Sequence, residues 1–442
     1  MNKAYINNSY ISWGIIRFKH NTLMLFFIIM MLIFNYFFQN DIIAFMAISI
    51  TFIFLIICKN EYIVANYIFL SFFSHIIQVN GINLFAFIGI AVILRRIIKN
   101  TNIFLNIILL WSFYVFIHML SSGANKISFG ALIPSFLLMA LYSSCGLYDS
   151  KQYNLCVNNY LKGLFLSSWI GLLRAFNISR ISEYLSNDFV YMGNDSTGLL
   201  RYAGLTYDCN FYAVLLVLGI ILLIYDFNFN HRKRFSQYIM FISYMFFGIL
   251  TFSKSFFLCI LIIFGCWISS RNAMNKGLQI IITVIGAFIV CILFHNYFGE
   301  IIHEIIARFS SIGNFNSFTS GRGDIWKYYW SNYINSFRSV LIGNGIGYHG
   351  YWKGAHNLWL EILFNYGFLG MLCDITYYYI IKQCFFRKNI KVKYAGSKLM
   401  VLIFWLMQLF LGSYTFYSLT ICILITFIAR SKPKLNNLEL IC

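Results

Sequence analysis

Long apolar runs, separated by short polar connections, set the pattern of this chain. The runs fall at residues 22–38, 41–58, 62–78, 81–94, 102–120, 127–143, 157–177, 209–225, 237–252, 255–270, 277–298, 357–381, 398–412 and 415–429. Read as membrane spans, they predict about 12–14 transmembrane helices. Several runs are short for a bilayer, so tilted or re-entrant segments belong to the expectation. The last two runs read equally as one long tilted helix. The first run is too long for a signal-peptide core and has no small-residue cleavage site after it, so it reads as a retained span. One further element is expected in the connections. The stretch "EIIHEIIARF" at 300–309 repeats its apolar residues at helical spacing and reads as an amphipathic helix on the membrane surface. No internal repeat is evident, which weighs against an inverted-repeat transporter.

Composition sharpens this picture. Hydrophobic residues make up 60% of the 442 and charged residues only 11%, with a mean hydropathy of +0.73. That is far from a soluble average, and the whole chain reads as one polytopic domain. The net charge of +19 would suit nucleic acid, but most of the charges sit in connections, where they act as topology signals. With the N-terminus inside, about 22 of the 33 Lys and Arg fall in inner connections and about nine in outer ones. The two longest polar connections, 178–208 and 299–356, then both face outside. Neither GxxxxGK[ST] nor GxGxxG after a strand occurs, so any chemistry runs on the outer face without a nucleotide. The eleven cysteines form no CxxC and no metal-ligand spacing, and they read as small buried hydrophobes.

Positive charge on the translocated side runs against the topology bias. Four outer stretches carry it: Arg201 in "LLRYAGLTYDCNFYA", Lys254 in "LTFSKSFFL", Arg322 in "TSGRGDIWKYYW", and Lys353 with His356 and Asn357 in "YHGYWKGAHNLWLEILF". A lone Arg or Lys at a membrane edge is commonly a snorkelling anchor, and a lone His there is commonly an interfacial residue. Four such sites on one face of a chain short of charge instead suggest one pocket for an anion, most naturally phosphate or pyrophosphate. Glycines on both sides of Arg322 suggest close backbone approach there. Trp326, Tyr329 and Trp330 follow at helical spacing, as an interfacial helix needs. His356 adds a group able to take a proton near neutral pH, and Asn357 is placed to orient a sugar hydroxyl or the imidazole. His349 and His303 rank behind His356.

These residues carry a resemblance. "RYAGLTYDCNFYA", "TFSKSFF" and "SGRGDIW…GNGIGYHGYWKGAHNLWLEILFNYGFLG" are similar, in order and spacing, to motifs of the O-antigen polymerase and O-antigen ligase superfamily of bacterial polysaccharide assembly. The likeness is detailed over roughly residues 195–380. Three positions depart from it: Lys254 where Arg is usual, Cys209 where Pro is common, and Asn365 where an acid often precedes the glycine.

The resemblance implies an all-α, GT-C-like polytopic membrane protein with a large, partly helical periplasmic loop. It implies a metal-independent, inverting glycosyl transfer with no cofactor, and a donor glycan on undecaprenyl pyrophosphate. By matching motif, His356 and Arg322 take catalytic roles, while Arg201, Tyr202, Asn210, Lys254 and Asn357 bind substrate or pyrophosphate. The expected location is the bacterial inner membrane, with a chain-length regulator and a flippase as partners and no nucleic acid. A repeat-unit polymerase is favoured over a ligase acting on lipid A-core. A lipid-linked sugar flippase is the alternative from another class; it would bury more ionisable residues along a pathway than Lys162, Arg174, Glu361 and Asp374 provide. A non-catalytic scaffold for other assembly proteins is the remaining reading.

Overall fold

A computed structural model of the chain describes residues 23–35, 38, 40–73, 78–79, 82–83, 150–175, 201–206, 208–229, 235–269, 321–345 and 355–385. The chain divides into two compact units. The first takes Met1–Phe104, Leu147–Tyr191 and Ala203–Tyr207; the second takes Leu105–Gly146, Met192–Tyr202 and Asp208–Cys442.

In the first unit, α1 (residues 23–35) precedes α2 (Asp41–Ile57) and α3 (Asn60–Ser71). Asn40 starts α2: its Oδ1 accepts the N–H groups of Ile42 at 2.9 Å and Ile43 at 3.2 Å, meeting two of the donors that a helix start leaves unsatisfied. A two-residue antiparallel ladder follows, β1 (Gln78–Val79) against β2 (Ile82–Asn83). This ladder departs from the purely helical expectation. The unit's core forms where α3 packs on α4 (Ser150–Ala175). Tyr67 and Tyr160 are fully buried there, and the Phe72 and Tyr160 rings meet edge to face at 5.0 Å. Gly163 permits the approach, because a Cβ on it would stand 2.7 Å from the Phe72 ring.

In the second unit, α5 (Cys209–Phe229), α6 (Phe235–Leu250) and α7 (Lys254–Ser269) pack together. The α6 and α7 axes close on each other at Gly248, whose missing side chain makes room for the Phe256 ring. Three residues, Thr251, Phe252 and Ser253, reverse the chain between them. Phe252 takes φ 47 to do so, an uncommon conformation for a bulky residue. Farther along, α8 (Arg322–Tyr333) and α9 (Phe337–Ile342) both pack on α10 (Leu358–Phe385).

Helices stand, among the described residues, where eight of the apolar runs were read, but they do not make the expected membrane fold. Among the described residues no helix is long and apolar enough to cross a membrane. This corrects the polytopic, GT-C-like expectation of about 12–14 transmembrane helices. The reason is length and continuity. At 1.5 Å per residue, the 16 residues of α6 or of α7 reach about 24 Å, short of a hydrocarbon core of about 30 Å. The 26-residue α4 is long enough but interleaves Asn154, Asn158, Asn159 and Lys162. The 28-residue α10 is broken at Gly367. In α5 the apolar character runs all round because protein surrounds it: nearly every residue from Tyr212 to Ile224 is buried.

Candidate active site

All seven candidate residues lie in the second unit, and contacts gather five of them into two groups: Arg201, Tyr202 and Asn210, and His356 and Asn357. The first is built on the buried Arg201, only 6% exposed. Its Nε–H donates to Thr251 O at 2.9 Å and its Nη2 to Asn210 Oδ1 at 3.0 Å. Asn210 Oδ1 also accepts from Ser253 Oγ at 3.1 Å, and Ser253 Oγ lies 2.7 Å from Ser255 Oγ. The next residue, Tyr202, donates its N–H to Leu250 O at 2.9 Å and so satisfies a carbonyl at the end of α6. The Tyr202 ring stacks on Phe247 at 5.3 Å and meets Tyr212 edge-on at 5.5 Å. A buried guanidinium is costly to desolvate unless its donors are met. Here the planar fork binds the chain before α5 to the α6–α7 reversal. Lys254, half-buried, is the first residue after that reversal.

The Asp-x-Asn pattern divides its labour. Asp208 caps α5: its Oδ1 accepts Asn210 N–H at 2.6 Å and Phe211 N–H at 3.2 Å. Asn210 joins the arginine. Between the two, Cys209 is buried, as are Cys58, Cys156 and Cys259; these four have the packing role read for them. Burial pushes the Cys259 thiol up to about 12, which keeps it protonated and unreactive.

The second group surrounds His356. This residue has φ 49, the left-handed region. Its N–H donates to Glu361 Oε1 at 3.3 Å. Asn357 starts α10: its Oδ1 accepts Leu360 N–H at 3.1 Å and its carbonyl accepts Glu361 N–H at 2.9 Å. That capping task accounts for the Asn357 oxygen, whether or not a sugar is bound. From α8, Trp326 donates its Nε1–H to Ala355 O at 2.7 Å. Ile325, Tyr329, Ala355, Leu360 and Phe364 form a buried cluster, with the Tyr329 and Phe364 rings 4.6 Å apart. The helical spacing read for Trp326, Tyr329 and Trp330 is thus a real helix, with Tyr329 facing in and Trp330 facing out.

Arg322 is the first residue of α8 and is half-buried. Gly321 before it has φ 79, yet a Cβ there would meet nothing within 4 Å. Gly321 thus meets a conformational need, its positive φ, and the space beside it is open. His303, His349, Lys353 and the 300–309 helix lie outside the described residues.

Glu361 is not among the candidate site residues; the sequence reading names it only with Lys162, Arg174 and Asp374, as an ionisable residue inside apolar runs. Burial pushes its carboxyl up to about 8, against the pull of N–H groups from His356 and Ala355. Tyr329 is raised to about 12 by burial first, then by Glu361 and Tyr328. The available signal was an acid five residues past His356 on an apolar helix face. Among the described residues, no group of three or more His, Cys, Asp or Glu side chains is placed to hold a metal ion. No protein-family model, curated protein or solved structure matches the chain.

Proposed function

We propose that this chain is a glycosyltransferase that extends a polysaccharide, moving a growing glycan from undecaprenyl pyrophosphate onto a lipid-linked repeat unit. One observation carries the reading. All seven candidate residues belong to one compact unit, and five of them, Asn210, Lys254, Arg322, His356 and Asn357, stand in or just ahead of the first turn of α5, α7, α8 or α10. Backbone N–H groups and the helix dipole favour anions at such ends, which suits a pyrophosphate substrate. The motif order that resembles the polymerase and ligase superfamily adds the reaction class.

In this reaction an acceptor hydroxyl oxygen attacks the anomeric carbon of the donor, and His356 takes the hydroxyl proton. The glycosyl–oxygen bond breaks on the opposite face, and undecaprenyl pyrophosphate leaves. Arg322, Lys254 and the Arg201 group offset the charge that develops on the leaving pyrophosphate. A polyprenyl donor brings the reaction to a bacterial cytoplasmic membrane, at its periplasmic face. The exposed Phe235, Ile239 and Ile242 along α6 offer an apolar face suited to lipid. A flippase that delivers the repeat unit and a chain-length regulator are the partners this chemistry calls for.

The test is polymer formation by the purified full chain from undecaprenyl-pyrophosphate repeat units, with and without chelator. Polymer in both arms supports the reading, and no product in either overturns it. In cells, deletion leaves single repeat units on the lipid core if the chain is a polymerase. Bare core after deletion would reassign it as a ligase.

A further inference from the structure

We infer that Glu361 is a positioning residue for His356, holding the backbone of the proposed base in its left-handed conformation from inside α10. The inference deepens the glycosyl-transfer reading and rests on it for its catalytic meaning, while its structural half stands alone. A histidine at φ 49 does not keep that conformation for its own sake: the left-handed region costs an L-residue roughly 1–2 kcal/mol. Something must hold it, and the contacts show what does. Glu361 Oε1 accepts the His356 N–H, and the neighbouring Ala355 N–H favours the charged form of this carboxyl. On the other side, Trp326 Nε1–H holds the Ala355 carbonyl at 2.7 Å. One peptide segment is therefore gripped by the His356 N–H from α10 and by the Ala355 carbonyl from α8.

The carboxyl is itself fixed. The residue is half-buried, with its carboxyl desolvated and interacting with Tyr329 of the apolar cluster. The titratable group on α8 that interacts with it is Tyr329, and His356 meets it through the backbone N–H. Asp324 and Lys327 on α8 and Arg338 on α9 are exposed. Desolvation is the largest influence on the carboxyl, ahead of the two N–H bonds that favour its charged form. Below about pH 8 it is a neutral acceptor, and charging it above that value sets a carboxylate against an apolar cluster.

The experiment compares wild type with Glu361→Gln, which keeps an acceptor oxygen but cannot ionise, and Glu361→Ala, which has neither property. Hydrogen exchange of the 355–361 amides reads the grip without reference to activity. Glu361→Ala is expected to lose that protection and Glu361→Gln to keep it. Equal protection in Glu361→Ala and wild type would overturn the inference. Chain growth is measured in parallel. Glu361→Ala should lose about 100-fold in kcat with little change in KM, and Glu361→Gln should recover most of it. If wild type makes no polymer at all, the glycosyl-transfer reading fails, and the exchange result still decides whether Glu361 positions His356.

Discussion

Gly343 and Gly367 lie backbone against backbone. A Cβ on Gly343 would stand 2.4 Å from the Asn365 carbonyl carbon, and one on Gly367 would stand 2.5 Å from the Gly343 nitrogen. Both have positive φ, 78 and 66. The contact locks a break in α10: Gly367 leaves helical geometry with ψ −166, and the carbonyls of the turn before it turn to the loop. Phe364 O accepts Asn344 N–H at 2.7 Å and Asn365 O accepts Gly345 N–H at 2.9 Å. The loop after α9 thus caps the first half of α10, the half that begins beside His356.

Alanine at either glycine is expected to cost at least about 2 kcal/mol, from strain and backbone overlap together. Gly321 makes the control. Its φ is 79 but the space around it is open, so Gly321→Ala should cost only roughly 1–2 kcal/mol. Denaturant midpoints of the three variants check the order. Equal losses would mean that the Gly343–Gly367 contact contributes nothing beyond the dihedral.

Arg201→Lys should lower both stability and chain growth. Lysine cannot reach Thr251 O and Asn210 Oδ1 together with one planar group, and a buried acceptor left without its donor costs about 1–3 kcal/mol. Lys254→Ala should abolish chain growth with a smaller change in melting temperature. The two variants, compared by melting and by polymer assay, separate a clasp from a charge. An Arg201→Lys protein that melts like wild type would remove the clasp.

His356→Gly tests the proposed base without breaking its backbone. Glycine enters the left-handed region freely, so stability should remain within about 1 kcal/mol of wild type. Polymer formation should vanish. Polymer of wild-type length from this variant would remove His356 as the base.

Asn357→Asp keeps a side-chain oxygen for Leu360 N–H, whereas Asn357→Ala does not. Alanine should cost about 0.5–2 kcal/mol, and aspartate should cost little. If Asn357→Asp also supports chain growth, the residue acts through the helix start. Loss of growth with unchanged stability would instead put its amide on the substrate.

Stability should depend on pH through Glu361. An unfolded glutamate titrates near about 4.3, and burial raises this one to about 8. Between those values the folded protein holds a proton that the unfolded chain has released. This contribution is fully present below about pH 4.3 and is lost as pH rises through about 8, by up to about 1.4 kcal/mol per pH unit. Glu361→Gln should flatten that slope in denaturant titrations across the range. An unchanged slope would mean that another group sets it.

Local pattern was enough to place helices. Apolar runs at 209–225, 237–252 and 255–270 match α5, α6 and α7 closely, and the reversal at Thr251–Ser253 falls where the pattern changes. Helix formation and chain reversal depend on neighbours within a few residues, so the order of residues carries them. The candidate positions beside helix starts were legible for the same reason.

Hydropathy alone did not separate a helix that faces lipid from one that faces protein. The burial of α5 on all sides, the short reach of α6 and α7 and the break in α10 became visible only in the folded chain. The roles of single side chains were also decided there. Arg201 meets Thr251 across 50 positions, Trp326 meets Ala355 across 29, and Asn344 meets Phe364 across 20. By itself the sequence determined eight of the described helices and polar residues such as Asn210, Lys254 and Asn357 at their starts, because those properties are local. Only the tertiary structure decided that Arg201 is a buried clasp and that Glu361 stands behind His356, because burial and long-range hydrogen bonds depend on segments that meet only after folding.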